Sequence, residues 1–299
     1  METLEALQQQ LVVATELRGV IKTMKTLAAV NLHRYERAAE SLGEYARTID
    51  LGLQMILRNR HEHKAPALPP TQRARTGLLV FGSDQGMCGQ LNEQVATLVL
   101  ATVREQGLAP DRLRLLVVGA RVAGPLEDAG LAPDAVLSVP SGLTSMGWTV
   151  QEALLRLERW RAADRVETVF TIASRHLGGT AYQPECQRLL PLDQAWLDAL
   201  EKKGPPSRTI PLYTLAWDSL FAALIYQYLY VSVHRALTES LTSENASRLG
   251  AMQNAEKNID DRAESLTVAC HRVRQQSVTG ELLDIISGFE ALIRGNHPQ

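Results

Sequence analysis

Apolar positions near the start of the chain repeat with the seven-residue spacing that is typical of coiled-coil helices. One seam is apolar or aromatic at every position, and its members are Leu7, Ala14, Ile21, Ala28, Tyr35, Leu42, Ile49 and Ile56. A second seam, at positions 4 to 53, is apolar except at Arg18 and Lys25. The pattern predicts a helix over residues 1–60 that pairs with another helix.

The C-terminal segment carries a second seam of the same kind. Its apolar members are Leu249, Met252, Ile259, Ala263, Leu266, Cys270 and Val273, and Glu256 is the exception. Proline, which helix interiors exclude, is absent from residues 1–65 and 212–297. Helices of this length would extend roughly 80 to 115 Å, beyond a globule about 50 Å across. We therefore expect two projecting helices that bury their seams against each other.

The middle of the chain has a different period. Residues 61–75 are polar, basic and broken by proline, which predicts a linker. Short apolar runs then alternate with helical patterns, the runs at 77–81, 114–119 and 167–174 and the helices at 91–106 and 150–163. This order predicts an α/β domain with a largely parallel sheet over residues 76–211, followed by a terminal helix over 212–299.

Composition narrows the possible partners and the compartment. Across 299 residues the net charge is −2, so the basic surface expected of a nucleic-acid-binding protein is missing. The three cysteines, Cys88, Cys186 and Cys270, lack the spacing of zinc ligands, and a reducing cytosol fits them best. The first residues do not resemble a secretory signal. The longest apolar stretch, residues 220–233, is too short to cross a bilayer.

A glycine-rich loop at residues 81–89 is the most visible candidate for a site, because such loops between a strand and a helix often bind phosphate. It matches neither the P-loop nor the dinucleotide-binding pattern. Gly82, Gly86 and Gly89 are better interpreted as turn residues that accept positive φ, with Asp84 bonding the local backbone. The presence of a glycine-rich loop nevertheless leaves a nucleotide-binding α/β enzyme as one alternative.

No other group of residues predicts chemistry. His61 and His63 have no third metal ligand nearby, and no nucleophile, base or pair of carboxylates stands out, so we expect neither a metal nor a catalytic site. The heptads alone would also fit a generic coiled-coil scaffold.

The end of the last helix is apolar over roughly half of its circumference, which is more than one partner helix covers. The apolar residues are Leu282, Leu283, Ile285, Ile286, Phe289, Leu292 and Ile293. We therefore expect something to surround this end of the helix.

Four segments resemble the gamma subunit family of F-type ATP synthases. Residues 21–34, IKTMKTLAAVNLHR, are similar to the family's ITKAMKMVAASKLR, and residues 273–288, VRQQSVTGELLDIISG, are similar to its ARQASITQEL segment. Residues 243–252 and the loop at 83–89 also match. The chain departs from the family at Gln85, Gly280 and Phe289, which leaves both the housekeeping synthase and the alternate, N-type branch open.

The resemblance implies an antiparallel coiled coil with an inserted Rossmann-like α/β domain. It implies a central rotor stalk that couples rotation of the membrane c-ring to ATP synthesis or hydrolysis in a hexamer of three alpha and three beta subunits. The α/β domain would bind the epsilon subunit and the c-ring. This chain would bind no cofactor, since MgATP and ADP belong to partner subunits. The complex would lie at the cytoplasmic face of a bacterial plasma membrane, where this chain is peripheral.

The same resemblance assigns roles to individual residues. The residues implied to contact a loop of beta are Arg274, Gln275, Thr279 and Glu281. Met24 and Lys25 are implied to face an acidic lever of beta. Lys25 could instead be a solvated lysine, but a charge at a seam position is costly unless it is paired.

Overall fold

The structure is a computed structural model that describes residues 3–58, 75–202 and 213–295, with side chains of the last helix described up to residue 287. The predicted linker, apart from Arg75, lies outside the described residues together with His61 and His63. The side chains of Phe289, Leu292 and Ile293 also lie outside them.

Two long helices occupy the terminal segments, as the heptad pattern predicts. Helix α1 runs over Leu4–Arg58 and helix α6 over Trp217–Gly295. Both segments lack proline, so every turn can keep its hydrogen bond. None of the helices in the described part of the chain is long and apolar enough to cross a membrane.

The central segment forms an α/β fold. Its elements are β1 Arg75–Phe81, α2 Leu91–Glu105, β2 Leu113–Val118, α3 Ala120–Asp128, β3 Ala135–Leu137, α4 Leu143–Asp164, β4 Val166–Gly178, β5 Ala181–Leu190 and α5 Gln194–Lys202. The strand order is β3-β2-β1-β4-β5, with only β5 antiparallel to its neighbour. The order 3-2-1-4-5 is that of Rossmann-like sheets. The predicted fold class is therefore confirmed.

Both faces of the sheet are buried, which explains why its central strands are continuous apolar runs. On one face, side chains such as Leu79 and Phe81 pack with residues of α4, of α6 and with Tyr35 of α1. On the other face, side chains such as Leu78 and Val80 pack against α2 and α3.

The chain divides into two compact units, the α/β unit of residues 28–250 and the two-helix unit of residues 1–27 with 251–299. Within the two-helix unit, Arg18 pairs with Asp260 and Lys25 with Glu256. The residue number in α6 falls from Asp260 to Glu256 as the residue number in α1 rises from Arg18 to Lys25. The helices are therefore antiparallel, as the family resemblance implies.

Candidate functional site

In the glycine-rich loop after β1, Asp84 bonds backbone N–H groups of two other segments of the chain, so the prediction that it bonds the local backbone is wrong. The Asp84 carboxylate accepts one hydrogen bond from the backbone N–H of Ala120 and another from that of Val139, each at 2.8 Å. Ala120 is the first residue of α3. Exposed amides at a helix N-terminus are the usual binding site for a phosphate, so this carboxylate takes the position that a bound anion would need.

The glycines of this loop only partly match the expectation of positive φ. Gly89 has φ of +58°, but the other left-handed residue is Met87, with φ of +60°, and not Gly86. Met87 is exposed, so its side chain finds room there. Gly82 serves close packing instead, because a Cβ there would lie 2.7 Å from Val122.

Helix α6 fills the crevice at the carboxyl ends of β1 and β4. In open α/β sheets, ligands bind at this crevice, where the strand order changes direction. Here the Ser243 hydroxyl donates to the backbone carbonyl of Ser174 near the end of β4, at 2.8 Å. The Ser247 hydroxyl donates to the carbonyl of Cys88 in the glycine-rich loop, at 2.5 Å. The crevice is thus closed by the chain itself.

This part of α6 is buried and polar at the same time. Its buried polar residues are Thr238, Ser240, Thr242, Ser243, Glu244, Asn245, Ser247 and Arg248. Arg248 forms an ion pair with Glu244 at 2.7 Å and donates to the carbonyls of Gln85 and Gly86 at 3.4 Å. Burial raises the pKa of Glu244, and the neighbouring Arg248 opposes that rise. The sequence motif at 243–252 marked this stretch without revealing its contacts.

Lys25 has a partner within this chain. Its ammonium donates to the Glu256 carboxylate, and both side chains are partly buried between α1 and α6. The Lys25 hydrogen bond lowers the pKa of Glu256. Arg18, the other interruption of the α1 seam, lies 2.8 Å from Asp260. The charged exceptions in the two seams therefore pair with each other or with a neighbouring carboxylate. The sequence indicated that Lys25 needs a partner, but not that Glu256 supplies it. Met24, beside Lys25, is half-buried.

The predicted contact residues at the C-terminal end of α6 are exposed. They are Arg274, Gln275, Thr279 and Glu281. The Thr279 hydroxyl donates to the Gln275 carbonyl of its own helix at 2.8 Å, and Ser277 donates to Glu281 at 3.4 Å. Arg274 forms no ion pair with any residue that the structure describes.

Apolar side chains follow directly on the same stretch of helix. They are Val278, Leu282, Leu283, Ile285 and Ile286, each at least 50% exposed. Within residues 3–58, 75–202 and 213–295, no three His, Cys, Asp or Glu side chains could hold a metal ion. At this end of α6, exposed polar and exposed apolar side chains therefore adjoin.

Known proteins are similar to this chain over nearly all of its length. A family model described as ATP synthase matches residues 3–292. The chain belongs to the ATP synthase gamma-chain family. The ATP synthase gamma chain of Phocaeicola vulgatus is 27% identical over 97% of this chain and 100% of that protein. That of Anaeromyxobacter dehalogenans strain 2CP-C is 29% identical over 92% of this chain and 94% of that protein.

Solved structures share the fold. A chain of the Euglena gracilis mitochondrial ATP synthase, from a structure of its OSCP, F1 and c-ring, has a TM-score of 0.63 at 17% identity and covers 99% of this chain and 96% of its own. A chain from the central stalk and c-ring of the Tetrahymena thermophila mitochondrial ATP synthase has a TM-score of 0.55 at 21% identity. The match covers 79% of this chain and 99% of that chain. As a family member, the chain is a central-stalk subunit of a membrane-associated ATP synthase complex.

Proposed function

We propose that this chain is the rotating shaft that couples ion flow through a membrane c-ring to ATP synthesis or hydrolysis in partner subunits. The observation that carries the proposal is the end of α6, where exposed apolar side chains follow exposed Arg274 and Gln275. A soluble protein rarely leaves such a stretch uncovered, so a partner must surround it. A hexamer of three alpha and three beta subunits provides that sleeve.

The α/β unit would bind the epsilon subunit and the c-ring, at the cytoplasmic face of the membrane. One structure similar to this chain comes from an assembly of OSCP, F1 and c-ring and another from a central stalk and c-ring, which supports this arrangement. Rotation of an asymmetric shaft would then change the nucleotide affinity of each catalytic site in turn.

The chain would contribute no catalytic site of its own, and MgATP and ADP would bind to partner subunits. Three hydrogen bonds support this against the nucleotide-binding alternative. Asp84 accepts the hydrogen bond of the backbone N–H at the start of α3. The hydroxyls of Ser243 and Ser247 on α6 donate hydrogen bonds within the crevice in which a Rossmann-like enzyme binds its ligand.

Contacts with the beta subunit would involve two groups of residues. At the end of α6, the residues facing a loop of beta would be Arg274, Gln275, Thr279 and Glu281. Met24 and Lys25 would face the acidic lever of beta. Because Glu256 already neutralises Lys25, the lever would meet a paired lysine and not a free cation.

The test of the proposal is the double variant Arg274→Ala/Gln275→Ala in the assembled complex. Loss of the charge-assisted hydrogen bonds should change the relative populations of rotary states about ten-fold. We expect normal assembly, because both side chains are exposed in this chain, with reduced ATP turnover and weaker ion pumping. Steady-state hydrolysis and pumping are measured on purified stoichiometric complex.

The matched control is Arg272→Ala/Gln276→Ala, which removes the same two residue types from exposed positions on the same helix. This control should behave as the unmodified complex. Unchanged turnover and pumping in the Arg274/Gln275 variant would show that these side chains only solvate the surface.

A further inference from the structure

The α/β unit contains a cavity of about 210 Å³ that plays no part in the contacts described above. Its walls come from α1, the β4–β5 hairpin, α5 and α6. Among its polar lining residues, Thr171 and Gln187 are on the sheet face that is turned toward α6. A cavity with such a lining suits a ligand with both apolar and polar parts.

One part of the cavity is aromatic. The rings of Trp196 on α5 and Tyr228 on α6 lie 4.6 Å apart between centroids, in a tilted arrangement. Both residues line the cavity. Burial raises the pKa of the Tyr228 hydroxyl, so this part of the lining is poorly solvated. Such a surface accepts an apolar chain or the face of a cation.

Glu239, three turns after Tyr228 along α6, lines another part of the cavity. Eleven residues separate it from Tyr228, or about 16 Å along a helix, so the cavity is elongated. Glu239 forms no hydrogen bond or ion pair with any described residue. Burial raises the pKa of its carboxyl group. A half-buried carboxylate without a hydrogen-bonding partner gains from any cation that reaches it.

The other charged groups around Glu239 do not provide a hydrogen-bonded cation for its carboxylate. Arg175 lies 3.1 Å from Glu185 and is neutralised by it. Arg235, one turn before Glu239, attracts its carboxylate electrostatically but is exposed to solvent. Because Glu239 itself carries a negative charge, this part of the cavity disfavours an anion.

We infer that this cavity binds a linear organic cation, with its ammonium group against Glu239 and its apolar chain along the cavity toward Trp196. At roughly 30 Å³ for each heavy atom, the cavity holds about seven, the size of a six-carbon primary amine. The same chemistry could come from a free amine or from a lysine side chain of a partner subunit. This inference does not depend on the proposed function.

The experiment is calorimetric titration of the full-length chain with hexylamine. We expect saturable binding with one site per chain. Hexanol, which has the same shape without the charge, should bind about ten-fold more weakly, because it loses the charge-assisted contact with Glu239. Hexanoate should not bind. Equal binding of hexylamine and hexanol, or no binding of hexylamine, would overturn the inference.

The variant Glu239→Gln keeps the shape of the side chain and removes its charge, so we expect it to fold and to bind hexylamine no better than hexanol. The control Glu158→Gln changes an exposed residue of α4 away from the cavity, and it should bind hexylamine as the unmodified chain does. Circular dichroism checks that both variants fold. Unchanged hexylamine affinity in folded Glu239→Gln would also overturn the inference.

Repeating the titration on the assembled complex distinguishes the two sources of the cation. If hexylamine still binds with the same dependence on Glu239, the natural ligand is a free amine. If assembly abolishes hexylamine binding, and the Glu239→Gln complex is less stable toward dissociation than the Glu158→Gln complex, the cation is a partner's lysine. Loss of binding on assembly without that difference would overturn the assignment to a cation in the complex.

Discussion

Lys25 of α1 and Glu256 of α6 are charged residues in seams that are otherwise mostly apolar. The pattern identified Lys25 and Glu256 as exceptions, and the cost of an unpaired charge in a helix pair predicted that Lys25 needs a partner. The structure pairs the two residues with each other. They are 231 positions apart, and neither seam by itself fixes the register between the helices. The partner could therefore not be read from the sequence.

Reversal of one charge in this pair should destabilise the paired helices. Lys25→Glu places two carboxylates together between α1 and α6, and we expect a lower melting temperature of the full-length chain. The double variant Lys25→Glu/Glu256→Lys restores opposite charges and should recover most of the loss. Arg37→Glu, at an exposed position of α1 that forms no ion pair with any described residue, is the control for charge reversal. Equal melting of Lys25→Glu and this control would contradict the prediction.

The same pair gives a pH dependence with a definite sign. Because Lys25 lowers the pKa of Glu256 below its ordinary value of 4.5, the folded state binds this proton less readily than the unfolded state. The stabilisation is present above pH 4.5 and is lost as the pH falls through the lowered pKa. The difference in melting between the unmodified chain and Lys25→Glu should therefore shrink on acidification.

At the scale of elements, the sequence predicted the long helices and the three principal strands, because each is a strong periodic signal. It did not predict β3, which has three residues, or β5, which interrupts its apolar side chains with polar ones and carries Pro184 at the edge of the sheet. An edge strand needs no apolar run and tolerates proline. Both strands therefore lack the pattern on which the prediction depended.

Helix α6 shows a second limit at this scale. A heptad seam predicts one buried stripe, but residues 240–248 are buried on every side. The sheet, the glycine-rich loop and α1 all contribute to that burial, and they come from distant parts of the chain. Small hydroxyl side chains at Ser243 and Ser247 allow this close approach and bond the carbonyls that they meet.

Loss of one of these hydroxyls should loosen the glycine-rich loop. Ser247→Ala removes the shorter of two hydrogen bonds to the Cys88 carbonyl, which keeps only the one from the Leu91 backbone N–H at 3.3 Å. We expect several-fold faster amide hydrogen exchange in residues 83–89, with little change elsewhere in the sheet. The control Ser265→Ala removes an exposed hydroxyl that bonds only its own helix, at Asp261. Identical exchange of the loop in both variants would contradict a role for Ser247 in holding it.

At the scale of the whole molecule, the terminal motifs and the order of elements were enough to identify the family, because they are local in sequence. The surfaces that serve the assembly could be predicted only where they break a local rule, as the apolar end of α6 does. The part of α6 that follows Gln275 leaves its apolar side chains exposed in the described chain. This feature makes a prediction about the isolated protein.

The full-length chain should self-associate as its concentration rises, because a cluster of exposed apolar side chains on one helix is larger than soluble monomers usually tolerate. Sedimentation velocity over a range of concentrations measures this. Leu283→Glu/Ile285→Glu should shift the chain toward the monomer, since both side chains are exposed and their replacement costs no core packing. Leu177→Glu, at an isolated exposed position on β4, should not. Association with the catalytic subunits should abolish self-association of the unmodified chain, because the same surface is then covered. A monodisperse monomer at high concentration would instead argue that the end of α6 needs no cover, and would count against its burial in a sleeve of partner subunits.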